Sequence, residues 1–425
     1  MKKGLLWLRN DLRLADNPAL HQALVECGEV LFVYVFDERT WNPNRMGPFR
    51  AQFQHESLST LREKITERGG KIEFVRGRGL DEIPKLMKRY GAQVCYAQKE
   101  DAHEEVSEER ALAKKVDLVL TPGKGLFEEE DLPFALDELP RVFSHFRRKV
   151  QKNLRVRDLC PEPQDLACSW KGKSSLPKLT SLGFEETVLD ERAVLVFRGG
   201  EEAGWNRINE WMWDRACLQR YKETRNGLVG ADYSSKLSPW LANGCLSAVQ
   251  VFWEIQRYEE ERLANESTYW LFFELLWREF FRFVGRRFGN RLFIEGGIKG
   301  EETYDSQRDS LKLKNWRLGQ TQDDFVNANM VELVLTGWMS NRGRQNVASY
   351  LIHELGQSWL AGARFFERNL IDYDPCSNYG NWAYLGGVGN DPRPNRAFNL
   401  PKQAEIYDSD GSFRKLWLGA SETPS

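Results

Sequence analysis

Neither sign of charge is in excess: 60 Lys and Arg stand against 62 Asp and Glu in 425 residues, a formal net charge of −2. No global field therefore draws in nucleic acid or an acidic membrane, and a polyanion must be met by a local patch. Long apolar runs are missing too. None approaches the ~18 uncharged residues a membrane helix needs, and the longest aromatic stretch is broken by Glu274, Arg278 and Glu279. The start imitates a signal peptide through Lys2, Lys3 and residues 4–8, but Arg9, Asp11 and Arg13 end the apolar run early, so it reads as a first strand. A soluble, cytoplasmic protein without membrane association is expected. Cysteine is scarce, with 7 residues and no Cys-x-x-Cys spacing, which suits reduced thiols in a cytosolic chain. The 5 histidines form no spaced cluster, so no metal is expected. Tryptophan is what the chain does have: of 15, 12 lie beyond residue 200. Large aromatics fill cores, and the same crowding suits a planar cofactor and electron hopping.

Two periodicities divide the chain. Between residues 4 and 121 short apolar runs alternate with amphipathic ones. Strands are predicted near 4–8, 29–36, 71–77, 92–98 and 116–121, with helices near 18–27, 50–68, 81–90 and 103–115. This is the βαβ pattern of a doubly wound parallel sheet, whose ligands sit at the carboxyl ends of the strands. The Gly-Arg-Gly at 77–79 lacks the full Gly-x-Gly-x-x-Gly spacing, which argues against a dinucleotide fingerprint. Arg147, Arg148, Lys149, Lys152, Arg155 and Arg157 form a basic stretch that reads as a solvated helix face. From 201 onward the apolar spacing is helical, with caps expected at Ser238, ahead of Pro239, and at Ser247. The expected organisation is an α/β doubly wound parallel-sheet domain over 1–150, a connecting segment over 151–200, and an all-α domain over 201–425.

Three segments carry chemistry. Residues 267–288 are apolar nearly all round, so the helix should be buried. Glu274 and Arg278, four apart, either pair on one face or are held for a polar ligand. Residues 221–240 place Ser234, Ser235, Lys236 and Ser238 before a proline-started helix. Such hydroxyls and N–H groups suit a diphosphate, although serines before helices are also common caps. Residues 336–350 and 370–384 bring Arg342 and Arg344 together with Asp372 and Asp374, either a structural salt bridge or an ion pair with capacity left for a heterocycle. Trp359 and Trp382 read by themselves as core.

Taken in order, WLRNDLRLADNPAL, YKETRN, YSSKLSPWLANGCLS, ELLWREFFR, TGWMSNRGRQNVASY, LIDYDPCSNYGNWAY and GVGNDPRPNRAFN resemble the photolyase and cryptochrome family over nearly the whole chain. NRGRQNVAS, YDPCSNYGNW and GVGNDPR are similar to its DASH-type cryptochromes. The resemblance implies an all-α FAD-binding domain holding a folded, U-shaped FAD. Tyr221, Ser234, Ser235, Lys236, Leu237 and Ser238 would hold its phosphates and ribityl chain. Arg344 with Asp372 and Asp374 would address the ring edge and Asn378 would sit near N5, with Trp270, Glu274, Arg278, Trp338 and Asn341 completing the site. On the open side Glu274, Trp277, Asn341, Gln345 and Tyr384 match positions that line the family's pocket for a flipped-out pyrimidine dimer. The implied reaction is blue-light repair of cyclobutane pyrimidine dimers by excited reduced FAD, with single-stranded DNA favoured.

A folate antenna (methenyltetrahydrofolate) is expected in the first domain. Glu109 lies near the family's folate-contacting carboxylate, but it shares its helix with Glu104, Glu105 and Glu108, which reads as a solvated acidic face. Trp382 and Trp359 match the inner and middle members of the electron relay. Ser306 stands where the outer tryptophan usually does, so Tyr304 is assigned the terminal position, with Trp316 also nearby. Thr321-Gln322-Asp323-Asp324 and Asn327 likewise depart from the family's pattern. Two other readings stand beside repair: a light-sensing regulatory flavoprotein that binds nucleic acid, and an electron-transfer flavoprotein without light function. The chain's end at Ser425 weighs against the first of these, since signalling members often carry an extension. Arg282, Arg286, Arg287 and Arg291, or Arg342, Arg393, Arg396 and Lys402, are the expected basic rim for DNA, and a monomer is expected.

Overall fold

The computed structural model describes residues 2–172, 174–300, 309–391 and 397–419. The first part is a five-stranded sheet of β1 (Lys3–Leu8), β2 (Glu29–Phe36), β3 (Ile72–Arg76), β4 (Val94–Gln98) and β5 (Leu118–Thr121), ordered β3-β2-β1-β4-β5 and parallel throughout. Parallel neighbours need crossovers, and these are α1 (Pro18–Glu26), α2 (Pro48–Glu67), α3 (Gly79–Tyr90) and α4 (His103–Leu112). Helices cover both faces, so the strands are apolar without alternation. Leu5, Trp7, Leu31 and Val33 enter one core with Ile83 and Leu86, whereas Leu6, Leu8, Phe32 and Tyr34 enter the larger core that continues into the second half. Asn17 starts α1 by accepting from Leu20 N, with Pro18 at the first turn.

α5 (Phe143–Gln151) leads into a segment, 152–200, whose described residues hold no helix or strand beyond one 3₁₀ turn, Leu179–Leu182. It is strapped to the sheet domain: Leu166 N donates to Arg68 O, Trp170 Nε1 to Glu73 and Phe74 N to Ser174 Oγ. The basic stretch is not simply a solvated face. Arg147 donates to the Tyr269 hydroxyl and Arg157 pairs with buried Asp16, so both tie this region to other elements.

The second half is helical: α6 (Glu201–Ile208), α7 (Tyr221–Thr224), α8 (Ser238–Ala242), α9 (Ala248–Glu261), α10 (Glu266–Phe288), α11 (Ser310–Arg317), α12 (Asp324–Thr336), α13 (Asn341–Ser349), α14 (Trp359–Asn369), α15 (Pro375–Leu385), α16 (Leu400–Tyr407) and α17 (Ser412–Leu418). Two caps behave differently from each other. Ser247 forms a reciprocal capping box with Gln250 at the start of α9, as its sequence suggests. Ser238 does not cap α8, whose N-cap is Leu237; its hydroxyl instead donates to Asp372 at 2.6 Å. No helix among the described residues is long and apolar enough to cross a membrane.

Candidate active site

A cavity of about 530 Å³ opens among α7, α8, α10, α13 and α15, a volume typical of cofactor sites. Of the residues singled out in the sequence, Tyr221, Ser234, Ser235, Lys236, Leu237, Ser238, Trp270, Glu274, Trp277, Arg278, Trp338, Asn341, Arg344, Gln345, Asp372, Asp374 and Tyr384 all line it. Asn378 and Trp382 line an adjoining recess of about 100 Å³ that shares Asn341, Arg344, Asp372 and Asp374. Trp359 lines neither; it is fully buried and donates its indole N–H to Glu295 O at 3.0 Å.

The turn over 231–238 is shaped from behind. Arg207 donates to the carbonyls of Ala231, Ser234 and Ser235, and Trp211 donates to Asp232 O. With the carbonyls turned that way, the serines and α8 face the cavity. At the other end Asp372 Oδ2 accepts from Ser238 Oγ and, at 2.9 Å, from Arg344, whose Nε is fixed on Met339 O. Asp374 caps α15 through Ser377 N and lies 3.8 Å from Lys124 Nζ. Burial disfavours its charge, but Lys124 and Arg278 outweigh it and hold the carboxyl below its ordinary value. Asn378 donates its amide to Ala363 O at 3.0 Å, which fixes the side chain over the recess.

On the open side the Trp277 ring stacks on Phe143, with centroids 3.7 Å apart, and stands perpendicular to Tyr384 at 6.1 Å. Of the two readings for Glu274 and Arg278, the pair with each other is not formed. Glu274 instead pairs with Arg225 at 3.0 Å, and Arg278 donates to Lys124 O at 2.9 Å and lies 3.4 Å from Glu279. Helical spacing allowed the first arrangement, but the cavity separates the two side chains toward different partners. Burial raises the Glu274 carboxyl, with Arg225 opposing. Arg225 also lies over the Trp270 ring. Sequence reasoning quoted its motif, YKETRN, without giving it a role, and Lys124 carried no signal because its partners are distant in the chain.

Other expectations are corrected. Arg282 and Arg286 are not a surface rim: Arg282 is buried and Arg286 partly so, both paired with Asp101 and Glu128, and Arg282 also with Glu279. Arg287 and Arg291 donate to the carbonyls of Leu139 and Ile298. Glu109 is buried rather than solvated, paired with Arg9 at 2.6 Å and accepting from Glu100 N. Tyr304, Ser306, Arg393 and Arg396 lie outside the described residues. Buried Trp316 packs 6.2 Å from the ring of Trp382, and Phe366 lies 5.0 Å from it.

A second cavity, of about 590 Å³, lies at the carboxyl ends of β1 and β2. Trp7, Arg9, Asn10 and Arg39 line it, and it shares Ala242 and Asp374 with the first. Glu109 is not on its wall but holds Arg9, which is.

Asp372, on the wall of the main cavity, leaves Oδ1 buried without a protein partner, beside the indoles of Trp270 and Trp338. Such atoms require a partner, and a polar planar heterocycle bearing a diphosphate fits both ends of the site. Comparison with known proteins agrees. Residues 4–164 match the DNA photolyase family and residues 270–423 match the FAD binding domain of DNA photolyase. Cryptochrome DASH of a Synechocystis species is 44% identical over 97% of this chain and 87% of its own length. The crystal structure of Synechocystis cryptochrome superposes with a TM-score of 0.95 at 43% identity, covering 98% of this chain and 89% of that one. A bacterial class III photolyase from Agrobacterium tumefaciens gives 0.88 at 26% identity, covering 98% and 86%. This chain, with its parallel sheet and its FAD-binding helical domain, belongs to the DASH-type cryptochromes of the photolyase and cryptochrome family.

Proposed function

We propose that the protein is a CPD photolyase of the DASH type, repairing cyclobutane pyrimidine dimers under blue light and mainly in single-stranded DNA. The observation that carries this reading is the corner of Trp277 and Tyr384, opening with Glu274 and Asn341 onto the cavity that holds the Arg344–Asp372 pair. When bound, reduced FAD would supply the light-excited electron donor for opening the cyclobutane ring. The chain's residues do the rest. Two perpendicular aromatic faces receive the apolar dimer, and Glu274 and Asn341 meet the base edges, with Glu274 oriented by Arg225. Arg344 offsets the charge of a reduced flavin, Asp372 holds that guanidinium in place, and Ser234, Ser235 and Ser238 hold the phosphate end. Trp382 and Trp359 serve as the inner and middle members of the relay.

Extruding a lesion costs a few kcal/mol of unstacking, least when the strand is already single. Arg225, over Trp270 on the cavity wall, and exposed Lys402 supply phosphate contacts. A folate antenna occupies the second cavity. Photorepair of a defined thymine dimer in single-stranded and duplex oligonucleotides, with chemically reduced protein in light and darkness, tests the main reading. Light-dependent repair confined to the single strand supports it. No repair despite bound reduced FAD transfers the assignment to a light-sensing flavoprotein. Purified protein that shows flavin absorbance alone after incubation with the folate argues against that antenna.

A further inference from the structure

At the phosphate end of the flavin cavity lie two titratable groups, Lys236 and Glu332, whose protonation no role above uses. Lys236 is 2% exposed and has φ +56°, a left-handed backbone conformation costly for a non-glycine residue. Its Nζ donates to Ala231 O at 3.1 Å and sits 3.2 Å above the Tyr233 ring. An ammonium carries three donors, and one carbonyl with one ring face does not replace the water it gives up. Arg207 already brings a guanidinium to the same turn, bonded to three of its carbonyls. Glu332, on α12, is fully buried with both carboxylate oxygens unpartnered.

A buried carboxylate without a donor is costly unless it is protonated, and a buried amine with one acceptor is costly unless it is not. Burial, seconded by Arg207, pushes Lys236 down to about 6, with Glu332 and Asp232 opposing. Burial pushes Glu332 up to about 8, against Lys236 and Arg344. The other titratable neighbours, Cys217 and Tyr233, are raised by burial and stay neutral.

We propose that Lys236 is the proton acceptor that couples cofactor loading to proton uptake: as the FAD diphosphate seats on the 234–238 turn, Lys236, in that same turn, takes a proton from solvent and becomes an ammonium, while Glu332 remains a neutral acid. The balance is one neutral amine, one solvent proton and the diphosphate dianion, giving a buried ammonium in the turn that carries the dianion. This rests on the FAD assignment and is independent of repair. FAD affinity then falls as pH rises above about 6, by up to tenfold per unit, because the apoprotein must bind a proton that solvent supplies less readily.

The test is calorimetric titration of FAD into apoprotein in two buffers of different ionisation enthalpy between pH 7 and 8, with dissociation constants from flavin fluorescence between pH 6.5 and 8. The expected result is uptake of about one proton per FAD and a pH-dependent dissociation constant. Lys236→Arg, charged at every pH, is expected to bind FAD with no proton uptake and a flat profile, and Glu332→Gln to keep the uptake at pH 7. Absence of uptake in the wild type overturns the proposal, as does its persistence in Lys236→Arg. Loss in Glu332→Gln alone reassigns the acceptor to Glu332 and equally overturns it.

Discussion

Asp372 divides one oxygen between Ser238 and Arg344 and leaves the other without a protein partner. Asp372→Asn keeps the shape and removes the charge that orients Arg344. Hydrogen bonds to charged groups contribute about 1.5–3 kcal/mol, so FAD affinity is expected to fall by at least about tenfold in a fluorescence titration at pH 7. Glu332 makes a second prediction at this scale. Its folded carboxyl is raised to about 8 from 4.5, so its contribution to stability is fully present below the unfolded value and is lost as pH rises through about 8. Glu332→Gln removes that titration. Urea unfolding of the apoprotein is expected to show the variant close to wild type at pH 4.5 and about 2–4 kcal/mol better by comparison at pH 8. These single residues were partly legible. Ser238, Arg344 and Asp372 stood out by motif, whereas Glu332 had no signal, since one glutamate among the residues DFVNANMVELVLT belongs to no motif.

Among elements, α10 does most to join the two halves. Its aromatic face packs on α5 through Phe143 and Phe146, and its arginines reach the loops after β4 and β5. Arg282→Met leaves Asp101 and Glu279 buried beside one fewer cation. Breaking a buried pair from one side costs about 3–5 kcal/mol, and a loss of that order is expected in urea unfolding at pH 7. Burial opposes the charge on Asp101, but Arg282 and Arg286 hold its carboxyl well below the usual range. Its stabilisation is therefore present at neutral pH, persists into acid and fades only as pH falls through that low value. The element list was readable because period 2 and period 3.6 leave different apolar spacing. The caps were less so: Ser247 announced a capping box, but Ser238 looked the same and was recruited by Asp372, 134 residues away.

For the whole molecule, light is expected to act through Trp382, whose ring packs against Trp316 and Phe366. Trp382→Phe is expected to slow photoreduction of oxidised FAD by at least tenfold in steady illumination with a thiol donor, while the chemically reduced variant keeps its bound flavin. Tyr304→Phe photoreducing at the wild-type rate would remove Tyr304 from the relay. DNA affinity is expected to weaken with salt, with a log–log slope near −0.7 for each phosphate neutralised on a single strand; Lys402→Ala leaving that slope unchanged would exclude Lys402 from the rim.

The order of strands and helices, the FAD motifs and the family were carried by the linear pattern, because side-chain periodicity and motif spacing are local properties of the chain. What lay across from each charge was decided by the tertiary structure. Glu274 met Arg225 rather than Arg278, Glu109 turned inward to Arg9, and Arg282 and Arg286 were drawn into ion pairs with Asp101 instead of a DNA rim. Periodicity tells which face of a helix is apolar, but the partner of a buried charge comes from another element, and only packing brings the two within hydrogen-bond distance.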